Sequence, residues 1–181
     1  MDELVVLVNN DGTPIGTAKK AEVHTANTPL HLAFSAYLFD ERGQFLLTQR
    51  ALSKKVWPGV WTNSVCGHLS PGKTSEEAII RRCKFELGLT KISSPKVILP
   101  DYRYKTPPFD GIVENEICPV YAARIESDLN ANPAEVEDYR WLTWPKVLEQ
   151  VQNEPEIYSW WFKDQIKLLE KSLVFKNFLN N

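Results

Sequence analysis

Thr62-Asn63-Ser64-Val65-Cys66-Gly67-His68, followed after Pro71-Gly72 by Thr74-Ser75-Glu76-Glu77 and a run from Ala78 to Leu87 that Gly88 ends, is the stretch on which the reading of this chain turns. An extended segment sends alternate side chains to opposite faces, so Cys66 and His68 share one face, at a spacing that suits a small reactive or metal-centred site. The run after it is a helix marked at both ends. Thr74 with Glu77 three residues later forms a capping box, and Gly88 supplies the residue that most easily closes a helix. Arg82 and Glu86, four apart, share a face of that helix. The rest of the chain reads as supplying partners to the face that carries Cys66 and His68.

Upstream, Leu4 to Val8 is a short buried-strand pattern closed by the turn residues Asn9-Asn10-Asp11-Gly12. Lys19 to His24 leads through a proline-containing loop into a strand from Leu30 to Phe39. Its alternation puts Leu30, Leu32, Phe34, Ala36 and Leu38 on one face and His31, Ser35 and Tyr37 on the other. Asp40 to Gly43 turns the chain into a returning strand, Gln44 to Arg50, and Val56 to Trp61 is an aromatic turn before the Cys66 segment. Downstream, Val97 to Leu99 and Asp101 to Lys105 read as extended, with a loop from Thr106 to Gly111. A single strand is predicted over Ile112 to Tyr121, and period two places Glu114 and Glu116 on one face of it. Two carboxylates in an otherwise apolar strand are costly unless paired or bound to metal. A last strand over Glu135 to Leu142, a short helix over Trp144 to Val151 and one long helix over Tyr158 to Val174 complete the chain.

Composition limits the possibilities. At 181 residues, 43% hydrophobic and 24% charged, residues 1–181 are read as one globular domain. A net charge of -2 and a pI near 6.0 give no general reason to expect nucleic acid or an anionic membrane as partner. Met1-Asp2-Glu3 puts acid where a signal peptide carries positive charge, and Leu4 to Val8 is too short for its apolar segment. No stretch approaches a membrane span. Cys66, Cys83 and Cys118 make no even framework and are read as reduced thiols, which points to the cytoplasm.

His24, His31 and His68 are the chain's three histidines. With Glu114 and Glu116 they compose a mixed nitrogen and oxygen donor set suited to Mn²⁺, Mg²⁺ or Zn²⁺. Any one of them alone is more commonly a surface or hydrogen-bonded histidine. Cys66 taken singly is a packed apolar thiol, and becomes reactive only beside a metal or cations. Arg50, Lys54 and Arg82 come from segments bordering the same site and suit a diphosphate bridged by Mg²⁺, although each could be a solvated charge and Arg82 could simply pair with Glu86. Cys83 and Cys118 are assigned to packing.

The helix region is similar to the Nudix box. Aligned on Gly67, Arg81, Glu86, Leu87 and Gly88, the box's first glutamate is Lys73, the glutamate after its arginine is Arg82, and the first of its paired glutamates is Phe85. Only Glu86 remains of the acids that hold Mg²⁺ for hydrolysis. Thr62 to His68, Arg81-Arg82-Cys83, Asp101-Tyr102-Arg103-Tyr104 and Gly111 to Glu116 together resemble the type 1 isopentenyl-diphosphate delta-isomerases, from His24 to Trp161. The resemblance implies an α/β fold of the α+β kind, a Nudix-like α/β/α sandwich around a mixed sheet, in a monomer or homodimer acting on a small-molecule diphosphate. It implies one divalent metal on His24, His31, His68, Glu114 and Glu116, and a diphosphate-bridging Mg²⁺ on Glu86 with the backbone carbonyl of Cys66. Lys20, Arg50, Lys54 and Arg82 match the family's diphosphate-binding cations, Cys66 and Glu116 its catalytic pair, Tyr104 and Trp161 its active-site aromatics. The alternatives left standing are a Nudix-type diphosphohydrolase and a non-catalytic diphosphate- or metal-binding domain.

Overall fold

A computed structural model describes residues 3–180; Met1 and Asp2 of the N-terminal reading lie outside the described residues. In chain order the strands are β1 (Leu4–Val8), β2 (Pro14–Lys19), β3 (His31–Phe39), β4 (Phe45–Arg50), β5 (Trp61–Thr62), β6 (Val65–His68), β7 (Lys96–Leu99), β8 (Arg103–Lys105), β9 (Asn115–Ile117), β10 (Val120–Arg124) and β11 (Val136–Leu142). The helices are α1 (Lys20–Val23), α2 (Ser75–Leu87), α3 (Trp144–Asn153), α4 (Trp160–Leu169) and α5 (Leu173–Leu179), with a 3₁₀ turn at Pro155–Ile157.

β3 is the spine of a mixed sheet. One edge pairs antiparallel with β1 at His31, with β6 from Ala33 to Ala36 and with β4 at Phe39. The other edge pairs parallel with β9 at His31 and Leu32 and with β10 from Ser35 to Phe39. One edge is thus shared among three neighbours and the other between two.

The alternation of β3 divides two apolar layers. Phe34, Ala36 and Leu38 pack with Ile79, Cys83 and Leu87 of α2, while Tyr37 and Phe39 on the opposite face pack with Phe162 and Ile166 of α4 and Phe175 and Phe178 of α5. The result is helices on both sides of the sheet, as two-faced burial of a strand requires. Phe34, Tyr37, Leu38 and Phe39 are wholly buried, each transfer contributing about 1.5–3 kcal/mol.

α2 starts and stops where its sequence dictates. The Thr74 side chain accepts from the Glu77 N–H and the Glu77 carboxylate accepts from the Thr74 N–H; Gly88 closes the helix with φ 65°. A Cβ at Gly88 would stand 2.4 Å from the Asn130 carbonyl oxygen, so no other residue fits without moving the loop. Gly67 has a different task. A Cβ there would meet Arg82 Cγ at 3.1 Å and the Phe34 ring at 3.2 Å, so its absence lets α2 lie close on β6 and brings Arg82 and Glu86 to the site.

Three expectations change. The strand predicted over Ile112 to Tyr121 is two strands, β9 and β10, because Pro119 has no N–H to continue a ladder and the chain passes from one part of the β3 edge to another. The helix predicted over Tyr158 to Val174 is likewise two. The Ser172 hydroxyl accepts from the Phe175 N–H and donates to the Ile98 carbonyl, and this starts α5 afresh. Finally, Lys20 to Val23 forms the short helix α1, fixed by the Lys20 N–H donating to the Glu3 carbonyl.

Candidate active site

Strand register assembles the site from distant parts of the chain. Across the ladders His31 lies beside Glu116, Ala33 beside His68, Ser35 beside Cys66, and Tyr104 beside Glu116. Residues paired across strands project to one side, and His31, Ala33 and Ser35 alternate onto the same side of β3. His31, Cys66, His68, Tyr104 and Glu116 therefore all face the layer opposite α2. They border or lie just beneath a cleft of about 730 Å³ whose walls also include His24, delivered by α1, and Trp161 of α4.

His24, His31, His68 and Glu116 each offer a donor atom, all within 4.8 Å of one another, with imidazole centroids 5.0–5.3 Å apart. Burial, then the neighbouring His68 and His31, pushes His24 down to about 4, and burial lowers His68. These two rings are neutral, the form that donates a lone pair. His31 is wholly buried; its Nδ1–H donates to the Pro29 carbonyl at 2.9 Å, which directs Nε2 inward, and that Nε2 has no hydrogen-bond partner. His68 Nδ1 is buried and unpartnered too. A ring oriented from behind by a carbonyl, with its other nitrogen unsatisfied among neutral donors and a carboxylate, is the arrangement a divalent cation completes. The donor set fits a metal.

Glu116 is the hinge of this cluster. One oxygen lies 3.0 Å from His68 Nε2 and 3.5 Å from His31 Nε2. Burial works to raise its pKa, but the hydrogen bond with His68 and the proximity and charge of both imidazoles hold it below the usual carboxylate range. The other oxygen lies 2.9 Å from Tyr104 Oη, which is also 2.9 Å from Glu114. A single hydroxyl proton cannot serve two carboxylates. Burial, then the charge of Glu116, lifts Glu114 to about 7, so Glu114 is the one of the pair that retains a proton near neutrality. Glu114 meets Tyr104 and stands outside the four converging donors.

Cys66 is held by two side chains. Its thiol donates to Asn63 Oδ1 at 3.1 Å and lies 3.6 Å from Ser35 Oγ; burial pushes it up to about 12. Asn63 Oδ1 also accepts from the Trp161 indole N–H at 3.1 Å, tying the aromatic wall to the thiol. Trp161 in turn has the Arg50 guanidinium 5.7 Å from its ring centroid and Tyr104 at 6.3 Å.

The four cations line the same cleft, each already engaged. Lys20 pairs with Glu3 at 2.9 Å, and Arg50 donates to the carbonyls of Trp57 and Val56. Lys54 pairs with Glu135; Arg82 pairs with Glu86 at 2.6 Å and Glu135 at 3.0 Å. Arg82 and Glu86 are thus not a solvated helix pair but two members of a largely buried network in which breaking one partner strands another. Burial raises the Glu86 pKa against the opposing pull of Arg82. Glu135 and Asn63 escaped prediction as site residues. Nothing near Glu135 in sequence marks it, whereas Asn63 lies three residues before Cys66, and a polar side chain so close to that thiol was the available signal.

The NUDIX domain model matches residues 29–161. Two curated relatives from Escherichia coli strains UMN026 and IAI39, each named isopentenyl-diphosphate Delta-isomerase, are 54% identical over 159 residues, 88% of this chain and 87% of their own. A crystal structure of a Deinococcus radiodurans protein superimposes with TM-score 0.70 and 21% identity, covering 91% of this chain and 98% of its own. That of a MutT protein from Methanosarcina mazei Go1 gives TM-score 0.63 and 21% identity over 79% and 94%. The structural matches fix the α+β sandwich, and the sequence matches go further: this chain belongs to the NUDIX domain family and, within it, to the isopentenyl-diphosphate Delta-isomerases.

Proposed function

We propose that this chain interconverts isopentenyl diphosphate and dimethylallyl diphosphate by adding a proton at one carbon and removing one at another, the isomerase step of isoprenoid biosynthesis. The observation that carries this reading is one cleft bordered by a thiol, Cys66, and a carboxylate, Glu116, two groups able to exchange protons with carbon. Three of the Nudix box acids are replaced by Lys73, Arg82 and Phe85, which removes the carboxylate cluster that hydrolysis requires. Incubation of the purified chain with isopentenyl diphosphate and Mg²⁺ tests the reading. The allylic isomer should accumulate with no inorganic phosphate; phosphate release with the alkene unchanged would make the chain a hydrolase instead.

Protonating the terminal methylene of isopentenyl diphosphate leaves a tertiary cation, and loss of a proton from C2 then places the double bond. Glu116, with Tyr104 Oη against it, gives the first proton; Cys66 takes the second. With Cys66 a neutral thiol and Glu116 ionised, the resting pair is set for the reverse direction, and the forward reaction starts with that proton on Glu116. Trp161 and Tyr104 exclude water and turn ring faces to the cation, an effect of roughly 2 kcal/mol when desolvated. His24, His31, His68 and Glu116, with Glu114 beside them, would hold one cation of the Mn²⁺, Mg²⁺ or Zn²⁺ class, and Glu86 with the Cys66 carbonyl a Mg²⁺ carried by the substrate. When bound, these ions supply positive charge that raises the acidity of a neighbouring carboxyl and neutralises the diphosphate. The reduced thiols Cys66, Cys83 and Cys118 and the modest net charge support a cytoplasmic enzyme working on a small molecule without nucleic acid or membrane.

Two results follow. In His68→Ala, elemental analysis finds one fewer bound metal equivalent per chain than in the parent; unchanged stoichiometry would return the histidines to hydrogen bonding alone. In Arg82→Ala, steady-state kinetics show KM for the diphosphate raised roughly 10-fold or more, the loss of a charge-assisted contact. An unaltered KM would mean that Arg82 serves only Glu86 and Glu135.

A further inference from the structure

Beneath the cleft a chain of buried hydrogen bonds ends on the Cys66 sulfur. Tyr37, wholly buried in the core layer, donates its hydroxyl to Gln165 Oε1 at 2.8 Å. Gln165, wholly buried on α4, donates Nε2–H to Ser35 Oγ at 2.9 Å. Ser35, 1% exposed, has one proton of its own, and with Gln165 donating to its oxygen that proton is free for a sulfur: Cys66 Sγ at 3.6 Å or Cys118 Sγ at 3.5 Å. Of the two sulfurs only Cys66 borders the cleft; Cys118 is 1% exposed and packed in the core.

The opposite side of Cys66 is built in the complementary sense. Asn63 donates through Nδ2 to the carbonyls of Ala36 at 3.2 Å and Val65 at 2.9 Å, which turns Oδ1 toward the thiol to accept its proton. The sulfur is therefore held between an oriented acceptor and a hydroxyl able to donate to it. As a thiol it donates to Asn63; when its proton has left for carbon it can accept from Ser35, with no heavy atom required to move. Such a pre-set donor contributes when charge develops, because no reorganisation accompanies the transfer.

We propose that Ser35, oriented from behind by Gln165 and Tyr37, is a positioning residue of the isomerisation that fixes the Cys66 sulfur and supplies the hydrogen bond it needs between the two proton transfers. This rests on the reading of Cys66 as one of the two proton-transfer groups. Four buried polar side chains, Ser35, Asn63, Gln165 and the Tyr37 hydroxyl, would otherwise be expensive ways to fill a core that apolar residues fill more simply.

The test sets activity against stability. Ser35→Ala keeps the fold, with Tm lowered because the Gln165 amide loses its acceptor, and removes the hydroxyl, so kcat falls roughly 10- to 100-fold while KM for isopentenyl diphosphate stays within about two-fold. Ser35→Thr keeps the hydroxyl but forces a methyl group into a filled space, so its Tm falls below that of the alanine variant while its kcat exceeds it. A purely structural role predicts the opposite order, with the less stable threonine variant the slower enzyme, and that result would overturn the proposal. Parental kcat in Ser35→Ala would overturn it also. Cys66→Ala, assayed in parallel, separates the role of Ser35 from that of the thiol: an inactive Cys66→Ala with a fully active Ser35→Ala removes Ser35 alone, whereas an active Cys66→Ala removes proton transfer by the thiol and the role of Ser35 together.

Discussion

Replacing Cys66 with alanine lowers kcat for isopentenyl diphosphate by roughly 1,000-fold or more, and leaves diphosphate binding and metal content as they were. The size follows from what is lost. A positioned general acid or base contributes about 10²–10⁴-fold, and alanine leaves nothing at the end of the Asn63 and Ser35 contacts that can carry a proton. The selectivity follows from where the other groups stand. Lys20, Arg50, Lys54 and Arg82 are anchored by Glu3, by backbone carbonyls and by Glu135 and Glu86, none of which depends on the thiol. Equilibrium binding of the diphosphate together with steady-state rates checks both halves. Appreciable turnover in this variant would take Cys66 out of the reaction.

Glu116→Gln fails differently. The amide is the same size and can still meet Tyr104, but it loses the negative charge that draws together His31 and His68. A carboxylate ligand replaced by an amide weakens a hard or borderline metal site, and the same carboxyl group is the proposed proton donor to the alkene. Turnover therefore falls by at least about 1,000-fold, and metal analysis shows a depleted site, whereas Cys66→Ala is inactive with its metal in place. A Glu116→Gln enzyme with full metal content and near-parental rate would contradict both roles at once.

Local chemistry was readable from the sequence, and long-range pairing was not. Thr74, Glu77 and Gly88 announce α2 because a capping box and a left-handed closing residue act within a few residues of themselves. Period two placed His31 and Ser35 opposite Phe34 and put Cys66 with His68, because strand alternation holds wherever the chain is extended. The same rule could not foresee that Pro119 divides Ile112 to Tyr121 into two strands serving different stretches of β3, since the division depends on which neighbours the spine already has. Nor could helical periodicity see the break before Leu173, which comes from the Ser172 side chain capping a new turn against Ile98. Glu135 joins Lys54 across 81 residues and Arg82 across 53, and Gln165 reaches Ser35 across 130. Contacts of that span leave no mark in the local pattern. The resemblance of the Nudix box supplied what periodicity could not, namely that Lys73, Arg82 and Phe85 stand where hydrolases keep acids.

The central claim is that two protons move at two carbons while the diphosphate stays whole, and proton and phosphorus NMR of isopentenyl diphosphate turned over in D₂O with Mg²⁺ reads this directly. The account predicts dimethylallyl diphosphate carrying deuterium at a methyl carbon, with the phosphorus spectrum of an intact diphosphate. A product that contains no deuterium would mean a direct hydrogen shift without the Glu116 and Cys66 transfers, and free phosphate over an unchanged alkene would mean hydrolysis; either result contradicts the account.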